Sequence, residues 1–215
     1  MKELYPMKIS IIIPACNEEK YIEETLKNIP KQYEVIVVCN GCTDDTEKIA
    51  KKFPIKVITT NNRGTSLAKN IGAKQSLNEM LIFLDADIII NEKILKAIEN
   101  THYDFGTIKL FPNKKNIKSL IYIFIKNTKA KYVSGGGVIF CKKTIFNKIK
   151  GFDENKVYQE DNIFQRKAKQ YGEYGCINQF GIVNLRRLEK LGYLSPIKIW
   201  LKSLIKKNID YPIIR

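Results

Sequence analysis

Two aspartates separated by one residue, Asp85 and Asp87, are the first candidates for chemistry in this chain of 215 residues. They directly follow the apolar run 80–84, which is typical of a buried strand. In an extended backbone, residues two apart point to the same side, so we expect both carboxylates to face one cavity. Two such carboxylates repel each other unless a cation joins them, and oxygen ligands favour Mg²⁺ or Mn²⁺. The pattern predicts a divalent metal site, although an Asp-x-Asp taken alone also fits a solvated turn.

The segments that must position these aspartates alternate between strand and helix patterns. Apolar runs predict buried strands at 8–13, 34–39, 55–59 and 80–84. Amphipathic segments between them predict helices that begin at Asn17, at Thr43 and near Thr65. This alternation predicts an α/β fold with a Rossmann-like, mostly parallel sheet flanked by helices. Because such sheets bind ligands beyond the carboxyl ends of their strands, we expect the site in the loops that follow the strands.

The second half of the chain has a less regular pattern. It predicts strands at 105–111 and 138–141, a helix or loop at 117–126, helices at 142–150 and 160–170, and an extended segment at 176–185. We interpret residues 1–100 and 101–194 as two halves of one domain. Residues 195–215 form a basic tail, with apolar side chains at helical spacing and lysines opposite them. The tail fits three partners: the protein's own core, an anionic membrane surface or a partner helix.

The net charge of +15 is confined to the second half. Residues 1–100 hold 14 basic and 14 acidic side chains, whereas residues 101–215 hold 23 basic and 8 acidic ones. A basic half is compatible with nucleic acid, anionic lipid or phosphorylated substrates as partners, and also with a merely solvated surface. The 11 Tyr and 10 Phe, with 44% hydrophobic residues, exclude a disordered chain.

Several motifs in fixed order resemble the inverting glycosyltransferases of family 2, which have the GT-A fold. The first is Pro14-Ala15-Cys16-Asn17-Glu18 after the first strand, and the second is Asn40-Gly41-Cys42-Thr43-Asp44 after the second. Gly64, Ala68, Asn70 and Gly72 match a Gly-x-x-x-Ala-x-Asn-x-Gly helix, which precedes Asp85-Ala86-Asp87. The resemblance continues through Gly135-Gly136, Gly151-Phe152-Asp153-Glu154 and Glu160-Asp161 and covers about residues 7–190.

The resemblance implies that a sugar moves from a nucleotide-diphosphate donor to an acceptor hydroxyl with inversion. It implies a nucleotide-sugar site formed by Pro14, Ala15, Asn17, Glu18, Asn40, Lys69, Asp85, Ala86, Asp87, Arg186 and Arg187. Within that site, Asp85 would lie near the ribose, and Asp87, with Asp85, would hold Mn²⁺ or Mg²⁺ on the diphosphate. The two arginines would lie near the diphosphate. Asn40 stands where many members carry Asp, and its amide can pair with a uracil or guanine edge.

The resemblance also assigns the acceptor side. Asp161 matches the general base of the family, with Glu160 beside it, whereas alone this acid pair would fit the start of a helix. Gly135 and Gly136 would let an acceptor approach the backbone, and the acceptor itself is an unidentified glycan or lipid-linked alcohol. We expect a cytoplasmic enzyme, or one bound peripherally to the cytosolic membrane face, because no secretory signal or membrane span is evident.

Three other functions were compared with this interpretation. A nucleic-acid-binding module would explain the charge, but it predicts binding with a steep salt dependence and no affinity for nucleotide sugars. A sugar nucleotidyltransferase on a related sheet would need a glycine-rich, basic first loop, which residues 14–19 do not provide. An NAD-binding domain lacks its Gly-x-Gly-x-x-Gly after the first strand. We therefore expect a nucleotide-sugar donor and no nucleic-acid partner.

Overall fold

A computed structural model describes residues 8–132, 136–156 and 159–193 of the chain. The first half alternates strands with helices: β1 Ile9–Ala15, α1 Ile22–Lys27, β2 Glu34–Asn40, α2 Thr46–Ala50, β3 Lys56–Thr60, α3 Thr65–Lys74 and β4 Met80–Leu84. Nearly every side chain of β1, β2 and β4 is buried, as in strands covered on both faces. The predicted alternation of strands and helices is confirmed.

The remaining described elements alternate less regularly: β5 Ile88–Ile89, α4 Glu92–Glu99, β6 Phe105–Pro112, α5 Ile117–Lys129, β7 Val138–Lys142, α6 Lys143–Lys148, α7 Glu160–Ala168, β8 Tyr174–Val183 and α8 Arg186–Leu191. The segment predicted as a helix or a loop is the helix α5. It begins with a reciprocal capping box, in which the Asn116 side chain accepts from the Ser119 N–H at 2.9 Å and the Ser119 hydroxyl accepts from the Asn116 N–H at 3.2 Å.

The strands form one mixed sheet in the order β3-β2-β1-β4-β7-β6-β8-β5. The first four pair in parallel, and β7 joins β4 in antiparallel fashion, with Leu84 opposite Val138. Strands β6 and β8 are parallel, and β5 closes the far edge against β8 in antiparallel fashion. Strands from both predicted halves therefore share one sheet, and the carboxyl ends of β1, β2 and β4 meet at one edge.

Two helices begin later than the sequence predicts, because the loops before them bond to each other. Asn17 has a left-handed backbone, with φ of 58°, and does not cap α1. Its side chain accepts from the Thr43 N–H at 2.8 Å and donates to the Thr43 hydroxyl at 3.0 Å. The loops after β1 and β2 are thus tied together, and both predicted helix starts, Asn17 and Thr43, lie in them.

A cluster of stacked aromatic rings lies between the sheet and α7. The rings of Phe152 and Phe164 stack at 4.2 Å, and Phe83 meets Phe152 edge-on at 4.9 Å. Asn70 on α3 clamps this cluster, since its side chain accepts from the Phe152 N–H and donates to the Phe152 carbonyl, both at 2.9 Å. The cluster therefore fixes α3 relative to the start of α7.

The predicted basic tail, residues 195–215, lies outside the described residues. In the ranges that are described, no helix is long and apolar enough to cross a bilayer.

Candidate active site

The carboxyl ends of β1 and β2 carry most of the residues predicted to contact the nucleoside. Pro14 and Ala15 end β1, and the buried Asn40 ends β2. The backbone N–H of Glu18 donates to the Thr46 hydroxyl at 2.7 Å, which holds the loop after β1 against the start of α2. The structure thus places these residues along one edge of the sheet, and their contacts with a nucleoside stay a prediction.

Asp85, Ala86 and Asp87 form a turn between β4 and β5, and not the extended segment that the sequence predicts. The Ile88 N–H donates to the Asp85 carbonyl at 3.1 Å and closes the turn. The Thr25 hydroxyl on α1 donates to the carbonyl of the buried Ala86 at 2.7 Å, and this bond anchors the turn to α1. These two bonds hold the backbone in a turn, and for that reason it departs from the expected extended form.

Arg186, at the start of α8, connects this turn to the loop after β1. Its guanidinium donates to the Glu18 carboxylate at 2.6 Å, lies 3.7 Å from the Asp87 carboxylate and covers the Tyr21 ring at 4.1 Å. Burial alone would lower the pKa of Arg186, but the hydrogen bond and charge of Glu18 and the charge of Asp87 raise it. Arg186 is therefore a fixed cation beside the predicted metal ligand.

Lys69 on α3 is the cation that faces a second pair of acidic residues, Glu160 and Asp161. Its ammonium lies 2.7 Å from the Asp161 carboxylate and 3.9 Å from that of Glu160, and its side chain is only 3% exposed. Burial by itself would lower the pKa of Lys69, but the charges of Asp161, Asp85 and Glu160 raise it. Burial and the charge of Asp161 raise the pKa of Glu160 to about 7. The structure thus places Lys69 against the predicted base, and its predicted contact with the nucleoside stays a prediction.

Two adjacent glycines lie between the two acid pairs. A Cβ placed on Gly136 would lie 2.7 Å from one Asp161 carboxylate oxygen, and a Cβ placed on Gly137 would lie 3.9 Å from one of Asp85. The Gly137 carbonyl also accepts from the Asp85 N–H at 2.9 Å. The two carboxylates therefore approach the same pair of adjacent glycines, and the charges of both act on Lys69.

Electrostatics also connect the two pairs. Burial raises the pKa of Asp85 to about 6; the charge of Lys69 opposes this rise, and those of Asp87 and Asp161 add to it. Burial lowers the pKa of Lys126 on α5, although Asp85, Asp161 and Asp87 oppose that change. Sequence reasoning missed Lys126. Its only signal is a lysine directly after the apolar run 120–125, in the segment predicted as a helix or a loop.

Two predicted site residues cannot be placed, because Gly135 and the Arg187 side chain lie outside the described part of the chain. Among the residues that are described, no group of three or more His, Cys, Asp or Glu side chains is arranged to hold a metal ion. The turn after β4 thus offers two carboxylates from the protein.

Comparison with known proteins identifies the family. The Glycosyl transferase family 2 model matches residues 10–177. Poly(ribitol-phosphate) beta-N-acetylglucosaminyltransferase TarS of Staphylococcus aureus is 29% identical over 185 residues, which cover 75% of this chain and 32% of TarS. The chain thus spans about a third of that curated relative.

Two solved structures share the fold. The crystal structure of S. aureus TarS 1–349 has a TM-score of 0.67 at 25% identity, over 83% of this chain and 60% of that one. Mannosyltransferase PcManGT from Pyrobaculum calidifontis, solved with GDP-Man and Mn²⁺, has a TM-score of 0.67 at 19% identity, over 97% of this chain and 66% of that one. The predicted GT-A fold is therefore confirmed, and the chain belongs to glycosyl transferase family 2.

Proposed function

We propose that this chain transfers a sugar from a nucleotide-diphosphate donor to an acceptor hydroxyl with inversion of configuration. One observation carries the proposal: the Asp161 and Asp85 carboxylates approach the same pair of adjacent glycines, Gly136 and Gly137. A base for the acceptor and a carboxylate for the donor can therefore act on one sugar. Membership of family 2 supports the reaction class.

Asp161 acts as the general base. Its carboxylate takes the proton of the acceptor hydroxyl while the hydroxyl oxygen bonds to the anomeric carbon. The bond from that carbon to the donor phosphate oxygen breaks, and the nucleoside diphosphate leaves with the electron pair. A single displacement of this kind inverts the anomeric centre, and it needs no carboxylate nucleophile. Lys69 holds the Asp161 carboxylate in position through its 2.7 Å ion pair.

Asp85 and Asp87 suit a divalent cation, either Mn²⁺ or Mg²⁺. Asp85 is a half-buried carboxylate with a raised pKa, which a bound cation would offset. Two protein carboxylates leave room for donor phosphate oxygens and water, the usual partners of such ions. When bound, the ion would neutralise charge on the departing diphosphate. The Mn²⁺ found in the P. calidifontis protein supports this assignment.

The donor lies along the edge formed by the ends of β1, β2 and β4. Pro14, Ala15, Asn17, Glu18 and Asn40 line the nucleoside part, and Ala86 is buried within the turn that carries Asp85 and Asp87. Arg186 and Arg187 serve the diphosphate, and Gly135 and Gly136 leave space for the acceptor. Arg186 is already oriented by Glu18, so it can stabilise developing negative charge without first being ordered.

A binding screen tests the donor half of this proposal. We expect one or more UDP or GDP sugars to raise the melting temperature of the parent protein in Mn²⁺ but not in EDTA. Asp87→Asn should remove the metal-dependent shift, and Asp45→Asn, at an exposed carboxylate immediately before α2, should retain it. Binding of DNA or RNA with a steep salt dependence, together with no shift from any nucleotide sugar, would favour the nucleic-acid alternative.

A further inference from the structure

The helix α5 turns a strongly apolar face toward solvent. Ile117, Ile121, Phe124 and Ile125 are 70%, 54%, 72% and 49% exposed, although soluble proteins seldom gather large apolar side chains on one outer surface. The opposite side of the helix packs inward, where Ile123 is buried. We call the exposed side of this helix the α5 face.

A groove of about 440 Å³ continues this face onto the sheet. Its lining is almost wholly apolar and includes Phe111, Pro112, Leu120, Ile121, Phe124 and Phe180. Phe180 on β8 is itself 48% exposed, and Ile182 farther along the same strand is 42% exposed. The helix face and the groove therefore form one continuous apolar surface.

Lysines border this surface and extend over its rings. The Lys115 ammonium lies 5.5 Å from the centre of the Phe111 ring, and that of Lys109 lies 5.6 Å from the centre of Phe180. Lys118 and Lys129 are exposed on α5 itself. Long side chains that cover apolar surface while their charges reach outward are typical of contacts with a lipid interface.

The positive charge of these lysines distinguishes between three partners that could cover the α5 face: the tail of the chain, a second copy of the chain and a lipid surface. The tail beyond residue 193 carries Lys198, Lys202, Lys206 and Lys207, which would repel the lysines of the border. A second copy of the chain would bring the same basic border against itself. An anionic lipid surface instead attracts both the border and the tail, and it accepts the apolar side chains between its head groups.

We propose that the α5 face binds the surface of an anionic lipid bilayer, with the helix lying in the plane of the head groups. The 13 residues of α5 span about 20 Å at 1.5 Å per residue, which suits such an in-plane helix and is too short to cross the bilayer. This proposal does not depend on the catalytic one.

Co-sedimentation of the full chain with vesicles tests the proposal. We expect binding to vesicles of equal parts phosphatidylcholine and phosphatidylglycerol, and little binding to phosphatidylcholine alone. Raising the salt to about 1 M should weaken it, because the charges are then screened within a few ångströms. Failure of the parent to bind the anionic vesicles would overturn the proposal and leave donor binding untouched.

Matched variants locate the contact. I121Q and F124Q should each lower the bound fraction about tenfold, because each removes an apolar side chain from the lipid contact. L77Q is the control, since Leu77 is 87% exposed in the loop between α3 and β4 and should not change binding. Trp200→Gln tests the tail: a loss confined to that variant, with I121Q and F124Q binding as the parent does, would overturn the assignment to α5. A parent dimer that F124Q converts to a monomer without vesicles would also overturn it.

Discussion

The two acid pairs of the site differ in the cation that accompanies each. Asp87 faces Arg186, which it shares with Glu18. Asp161 faces Lys69, which is 3% exposed and bonded at 2.7 Å. Arginine presents a planar fork of donors that can hold one carboxylate while it faces another group, whereas lysine is a single point charge. The difference suggests a donor side able to accept new partners and a base side fixed before any ligand arrives.

Among the substitutions that test this comparison, replacement of Lys69 should have the largest effect. Lys69→Met leaves Asp161 without its cation in a mostly buried position, so we expect the free energy of unfolding to fall by about 3 kcal/mol. Urea unfolding measures this loss. Lys74→Met, at the exposed end of the same helix, is the control and should unfold as the parent does. Equal stability of the two variants would mean that the ion pair between Lys69 and Asp161 does not contribute to the free energy of unfolding.

Glu160→Gln should have the next largest effect, and the effect depends on pH. Burial and the charge of Asp161 raise the pKa of Glu160 from its ordinary 4.5 to about 7, so the folded state holds the proton more tightly. The parent is therefore destabilised as the pH rises from 4.5 to 7, and the full cost is present above pH 7. With one pKa unit worth 1.36 kcal/mol, the difference between 4.5 and about 7 corresponds to about 3 kcal/mol, and we expect the variant to gain this much stability relative to the parent as the pH rises through that range.

Urea unfolding in EDTA below and above this pH range checks the prediction for Glu160. Glu173→Gln, at an exposed carboxylate, should retain the pH dependence of the parent. An unchanged slope of stability against pH in Glu160→Gln would show that Glu160 is not the group that titrates.

Arg186→Lys should have the smallest effect, and it tests the donor side. A lysine keeps the positive charge, but it lacks the planar guanidinium group, which binds Glu18 and at the same time lies beside Asp87. We expect about tenfold weaker donor binding in Mn²⁺, equivalent to 1.4 kcal/mol, with little change in stability. Calorimetric titration of the donor found in the screen measures it. Arg166→Lys, at an exposed arginine on α7, should bind as the parent does.

The sequence predicted those parts of the molecule that depend on neighbouring residues. The apolar run at 80–84 is a strand, and the acidic pattern after it lies at the carboxyl edge of the sheet. The turn at Asp85–Asp87 was not predicted, because a hydrogen bond from Thr25, 61 positions away, helps to fix it. The loop contacts that delay α1 are likewise made by residues 26 positions apart.

The pairing of charges could not be read from the sequence. Lys69 and Asp161 are 92 positions apart, and Glu18 and Arg186 are 168 apart. Many of the 37 basic side chains could have met either acid pair, and only the fold selects between them. The resemblance predicted both acid pairs at one site and Arg186 near the diphosphate, but it did not predict that Lys69 would pair with Asp161.

In the proposed mechanism, Asp161 takes the proton of the acceptor hydroxyl, and Asp87 holds the metal ion that binds the donor. This mechanism is tested most directly by measuring donor affinity and nucleoside diphosphate release, with water as the acceptor, for Asp161→Asn and Asp87→Asn in Mn²⁺. The account predicts that Asp161→Asn binds donor as the parent does and releases diphosphate about 10² to 10⁴ times more slowly, and that Asp87→Asn loses metal-dependent binding. Parental release by Asp161→Asn, or parental metal-dependent binding by Asp87→Asn, would contradict it.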